Sequence, residues 1–239
     1  MKIIRALLFC GICCLAAQAD VITYITPAGS MVGSPGQPVD ASATLTTGNG
    51  TITVTLTNLE TNTKDVGQNL SDLFFTVANG SLSGASYAPG TVDSAQLVSV
   101  DKNGKATLGA NDTTASSIGW VLSIVNGTEL ELNDLSGTGH AGPAHTIIGP
   151  ANGSGVYLNA NSSIDNNKPH NPFIDQTATW VIDAPNVSTN TRIDSVTFCR
   201  GQRYRDCSAR TQLLWHHCAR FGRSSGRSPA AAQNHFCIG

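Results

Sequence analysis

Alternation of apolar and polar residues is the strongest signal along this chain. In "TITVTLTNL", residues 51–59, Ile52, Val54 and Leu56 point to one side and Thr51, Thr53, Thr55 and Thr57 to the other. A period of two is that of a half-buried strand. Similar runs occur at 21–25 (VITYI), 73–78 (LFFTVA), 95–100 (AQLVSV), 119–125 (GWVLSIV) and 128–133 (TELELN). Others occupy 145–149 (HTIIG), 155–159 (GVYLN), 177–183 (TATWVID) and 193–198 (IDSVTF). Asn-Gly pairs lie between or beside them at Asn49-Gly50, Asn79-Gly80, Asn103-Gly104, Asn126-Gly127 and Asn152-Gly153. Both residues tolerate the positive φ of tight hairpin turns, so "SIVNGTELEL" predicts a hairpin centred on Asn126-Gly127. One short helix is expected in "TKDVGQNLSDL". Short strands with regular turn punctuation predict an all-β fold, an antiparallel β-sandwich (jelly-roll-like) with long loops.

Both ends of the chain depart from this pattern. "MKIIR" followed by "ALLFCGICCLA" has the basic start and apolar core of an export signal, and Ala17, Gln18 and Ala19 form a small-x-small cleavage site before Asp20. The apolar run is short for a membrane span. Cys10, Cys13 and Cys14 leave with it, and the body from Asp20 to Phe198 then has no Cys. That fits an exported domain held by its core instead of by disulfides. The expected organisation is a signal peptide at 1–19, a β-sandwich domain at 20–198 and an aberrant, disordered tail at 199–239. The expected location is outside the inner membrane, secreted or at a bacterial cell surface, with signal peptidase as a processing partner.

Charge narrows the choice of partners. The body holds Lys64, Lys102, Lys105, Lys168 and Arg192 against fifteen carboxylates, a net charge near −10. Nucleic acid needs a basic surface, so it is not a partner.

Candidate chemistry concentrates between residues 136 and 176, a stretch rich in Gly, Pro, Asn and His. His140, His145 and His170, with Asp165 or Asp175, are the residues from which a metal site could be assembled. Their spacing matches no ligand pattern, and exposed or structural histidines are the expectation. "DKNG" at 101–104 starts like a calcium loop but lacks the later acidic ligands. No Gly-x-Ser-x-Gly elbow is present, and neither catalysis nor a cofactor is expected. Trp120 and Trp180 lie inside apolar strand patterns and read as core. Tyr157 and Phe173 are the aromatics left in the loops for carbohydrate contact.

After Phe198 the composition changes abruptly. Residues 199–239 carry seven Arg, together with Cys199, Cys207, Cys218, Cys237, His216, His217 and His235. No CxxC pair is present, so the zinc pattern fails. Reading the permitted codons one base later gives a different segment. The string V-I-A-V-P-E-P-S-S-Y-G-I-I-A-L-A-L-A-G-L is allowed from Asp206 onward, and the Trp215–His216 junction forces Gly. Codons from Pro229 onward allow successive Arg. Val-Pro-Glu-Pro, an apolar span and a basic cluster, in that order, resemble the PEP-CTERM sorting signal of exosortase-dependent bacterial surface proteins. "TGHAGPAHTIIGP" and "NNKPHNPFIDQTATWVI", ahead of "IDSVTF", resemble bodies of that family across roughly residues 40–198.

The resemblance implies delivery to the cell surface, with removal of the C-terminal signal by an exosortase once the frame is restored. It also implies a setting of exopolysaccharide production. The expected role is structural or adhesive in the cell surface or extracellular matrix. The rival role is a carbohydrate-binding module that recognises exopolysaccharide through the 136–176 loops. N-terminal sequencing of exported material is expected to begin at Asp20; an intact Met1 outside the inner membrane would refute the cleavage site.

Overall fold

The computed structural model describes residues 19–33, 36–112, 118–134, 145–165, 170–201 and 211–212. The first strands are β1 (Asp20–Ile25), β2 (Met31–Val32), β3 (Gln37–Pro38), β4 (Ala41–Thr47), β5 (Thr51–Asn58), β6 (Leu70–Val77) and β7 (Ser86–Val100). They are followed by β8 (Ala106–Asp112), β9 (Val121–Asn126), β10 (Glu129–Asn133), β11 (Ile147–Ile148), β12 (Phe173–Asp183), β13 (Ile193–Arg200) and β14 (Thr211–Gln212). The fold is all-β and sandwich-like, as the alternating pattern predicts.

Twelve strands are connected by hydrogen bonds, but their pairings divide into two groups. One layer runs β1-β4-β5-β12-β7-β8, with β5 and β7 on opposite edges of β12. The other runs β9-β10-β6-β13-β14. Among the described strands, β11 alone is hydrogen-bonded to both, through Ile147↔Ile174 on β12 and Ile147↔Leu70 on β6. β2 and β3 pair separately. The β11–β12 pairing is parallel, a departure from the purely antiparallel expectation. Twenty-four residues separate these two strands, enough for the crossover that a parallel pair requires.

The core lies between the layers. Ala43 and Leu45 of β4, Ile52, Val54 and Leu56 of β5, and Ala178, Trp180 and Ile182 of β12 face Leu73, Phe75, Leu130, Leu132, Val196 and Phe198. A smaller cluster of Val66, Val98, Val100, Ile148, Tyr157, Ile164 and Phe173 closes one end. Each buried aliphatic or aromatic side chain contributes about 1.5–3 kcal/mol by leaving water.

Several local expectations are corrected. Residues 155–159 form no strand, only an isolated bridge Lys105↔Val156. Gly155 (φ 72°) and Asn159 (φ 57°) turn the chain at both ends of that run. The expected helix shortens to one 3₁₀ turn, Val66–Gln68, closed by a capping box in which Asp65 accepts from Gly67 N and Gln68 caps the other end of the exchange. Asn69 is extended, so the turn cannot propagate. The Asn126-Gly127 hairpin forms with Asn126 paired to Glu129. Its mechanism differs from expectation: neither residue takes a positive φ, and Asn126 Oδ1 accepts from Thr128 N at 2.9 Å. Gly104 does have φ 74°, and a Cβ there would lie 2.5 Å from the Tyr157 carbonyl oxygen.

The composition break at Phe198 is not a break in the backbone, because β13 continues to Arg200. Cys199 is buried and disulfide-bonded. The Arg200 side chain is fully buried; Nη1 donates to the Gln68 carbonyl at 2.7 Å, while Nε and Nη2 have no partner. Burial lowers its pKa to about 10, partly offset by Asp40 and Glu60. Gln68 O also accepts from Asn58 Nδ2, so it keeps a donor if Arg200 is replaced. Replacing an incompletely satisfied buried charge by an apolar side chain is commonly neutral or stabilising by about 1–4 kcal/mol. Arg200→Met is expected to raise the melting temperature, by about 2–4 °C per kcal/mol gained. A lower melting temperature in thermal denaturation would show that the guanidinium is a stabilising element.

Candidate functional site

The residues singled out as possible metal ligands do not converge among the described residues. His140 lies outside them. His145 has φ 71° and is tied by its backbone: its N–H donates to Pro172 O at 3.1 Å, and its carbonyl accepts from Trp120 Nε1 at 3.0 Å. His170 is buried, and Asp165 closes a turn through its backbone N–H to Asn161 O. Asp175 is half-buried on β12, and desolvation raises its pKa. No group of three or more His, Cys, Asp or Glu placed to hold a metal occurs among the described residues. Asp101 uses its carboxylate to accept from Asn103 N and Lys105 N, which forms the β7–β8 turn.

The two aromatic candidates are core residues. Phe173 is fully buried, and Tyr157 is buried with its hydroxyl donating to Gly149 O at 2.8 Å. Both belong to the smaller cluster. Of the cleavage-site residues, Asp20 opens β1 and is exposed beside Ala19, and Ala17 lies outside the described residues.

The most distinctive surface lies on the outward side of β1, β4, β5 and β12. Register places the outward side chains of β1, β4, β5 and β12 in rows across the layer. The first row is Ile25, Ser42, Thr57 and Thr177; the second is Thr23, Thr44, Thr55 and Thr179; the third is Val21, Thr46, Thr53 and Val181. These twelve positions hold nine hydroxyls, three aliphatic side chains and no charge; the next outward pair, Thr51 and Asp183, brings the first carboxylate at the margin. On a body near −10, such a face is an exception and not an average. Its hydroxyls pair across strands: Thr23 with Thr44 at 2.9 Å, Thr55 with Thr179 at 2.9 Å and Thr57 with Thr177 at 3.1 Å. Cross-strand Thr pairs contribute about 0.2–1 kcal/mol each to the sheet. Thr51–Thr57 were legible as one face of one strand. The signal for the rest was the matching alternation in "ASATLTT" and "TATW", which becomes a surface only when pairing and register are known.

A second unusual region lies at the start of β6. Asp72 and Asp134 are buried, and Asp72 Oδ1 and Asp134 Oδ2 have no hydrogen-bond partner. Ser71 Oγ donates to the other oxygen of Asp72 at 2.7 Å. Desolvation, reinforced by Glu131, pushes the Asp72 carboxyl up to about 7. Burial and the Asp72 charge raise Asp134 as well. An open pocket of about 470 Å³, lined by Ala85, Tyr87, Trp120 and Leu122 among others, lies elsewhere, where β7 begins and the chain enters β9. No protein-family model matches the chain, and no curated protein does either.

The Asp72 shift has a pH consequence. A carboxyl whose pKa is higher in the folded state than in the unfolded one stabilises the fold while protonated. That contribution is complete below the ordinary value of 3.8 and is lost as pH rises through about 7. Asp101, shifted the other way, stays ionised above pH 5, so the range from about 5 to 8 reports the upward-shifted carboxyls, Asp72 together with its neighbour Asp134. The melting temperature is expected to fall as pH rises through that range. Asp72→Asn is expected to flatten the profile and to raise stability at pH 8. An unchanged slope in the variant would show that Asp72 is not the titrating group.

Proposed function

We propose that this chain is an exported, non-catalytic protein of the bacterial surface or extracellular matrix, with a structural and adhesive role. The observation that carries the reading is the uncharged face on β1, β4, β5 and β12, a broad hydroxyl-and-methyl surface on an acidic body. Contacts of this kind suit adhesion. The leader residues and the second reading frame of the tail add support for export and for exosortase sorting. The 136–176 loops lend less to a carbohydrate-binding role, because Tyr157 and Phe173 are buried.

The test is a pair of genes expressed in an exosortase-bearing host, one as given and one with a single base changed near codon 199. Restoring the second frame is expected to hold the precursor at the membrane and then deliver it to the cell surface. The chain as given is expected to be exported and released without anchoring. Retention of both in the cytoplasm, or identical fractionation of the two, would overturn the sorting reading.

A further inference from the structure

We infer that the uncharged face of β1, β4, β5 and β12 docks an extended, neutral polysaccharide chain laid across the strands. The inference rests on the adhesive reading and names its partner.

Spacing is the first argument. Neighbouring strands stand about 4.7–4.9 Å apart, close to the length of one sugar ring in an extended chain. The row Thr23, Thr44, Thr55 and Thr179 therefore offers one hydroxyl per strand and one strand per ring. The chemistry of the two surfaces also matches. A pyranose ring presents hydroxyls at its edge and C–H groups on its faces, and Thr presents a hydroxyl beside a methyl. Each cross-strand pair, such as Thr55 with Thr179, consumes one hydroxyl proton and leaves the other, with free lone pairs, for a ligand.

Charge selects among polymers. The face has no cation to hold a polyanion, and the acidic body repels one. Its one carboxylate, Asp183 opposite Thr51 at the margin, is too little to hold a polycation. A neutral chain meets neither obstacle. Twist selects among states of that polymer. Adjacent strands rotate by about 20–25°, so a row across four strands is a ramp and not a plane. A flexible single chain follows a ramp, and a rigid crystal face does not. The face contains no aromatic platform, so each contact is weak and attachment builds through repetition along the polymer and among many copies of the protein.

The full mature chain is run in native affinity gels containing mixed-linkage β-glucan or galactomannan, with alginate as the anionic control. Retardation by at least one neutral polymer and none by alginate is expected. Thr55→Val with Thr179→Val keeps side-chain shape and removes two hydroxyls. It is expected to weaken retardation at least about fivefold, the equivalent of one ordinary hydrogen bond, without lowering the melting temperature. Thr55→Lys is expected to weaken it further, while Thr76→Lys, on the opposite layer, is expected to leave it intact. Absence of retardation by both neutral polymers, equal retardation by alginate, or insensitivity to the Thr55 variants would each overturn the inference. Self-association without polymer that Thr55→Lys abolishes would assign the face to a second copy of the chain and overturn it too. Polymer binding by a chain that is never exported would sink the surface role and leave the docking face standing.

Discussion

Trp180 sits near the middle of β12, a strand paired on both edges, and meets Trp120 from the segment that enters β9. The two ring centroids lie 4.8 Å apart at 44°. Both rings belong to the main core cluster, which joins side chains of the two layers. Trp120 is also held from outside the core, since its Nε1–H donates to the His145 carbonyl. The loop preceding β11 is thereby tied to the core, and β11 is the strand that touches both layers. Aromatic pairs of this geometry contribute beyond their buried area. Trp180 is buried on the inner side of β12, so the alternating Thr177 and Thr179 face outward and complete the neutral face.

The alternation rule worked wherever large apolar residues mark every second position. β5, β6, β10, β12 and β13 were legible for that reason. β4 was not, because Ala41 and Ala43 fill core positions without looking apolar enough to declare a strand. Their small size admits the neighbouring aromatic side chains, so what hid the strand is part of its packing role. β8 was missed because it is a polar edge strand, where no buried face imposes a pattern. The candidate site was legible only in part. The four Thr of β5 were visible, but the rows joining Thr53, Thr55 and Thr57 to β1, β4 and β12 depend on register between segments more than a hundred residues apart. Tyr157 and Phe173 looked available because loop aromatics usually are, and a second small cluster beneath the loops took both.

Polar groups at the start of β6 work against this economy of packing. Ser71, Asp72, Asn133 and Asp134 are buried where two adjacent strands would ordinarily expose one side to water. Arg200 is buried at the neighbouring register position, paired to Leu70. The cost of these groups falls on one end of the second layer, and the Thr rows lie on the other layer. Stability variants at Asp72 or Arg200 and contact variants at Thr55 should therefore act independently, as distant sites do.

The pairing of β13 with β6 has a mechanical consequence. A protein held by its C-terminal end and by its Thr face would carry tension between its two layers. The pull would reach β14 first, which pairs with β13 at Ser195 and Val196, and then β13, which is hydrogen-bonded to β6 from Ile193 to Arg200. Force directed along a strand loads all of those bonds together in shear, whereas force across a strand end would open them one at a time. Tension would then cross the core through Val196 and Phe198 to β12 before reaching the outer face. With this routing, β14 would peel away first, and the β13–β6 pairing would then resist detachment as one body.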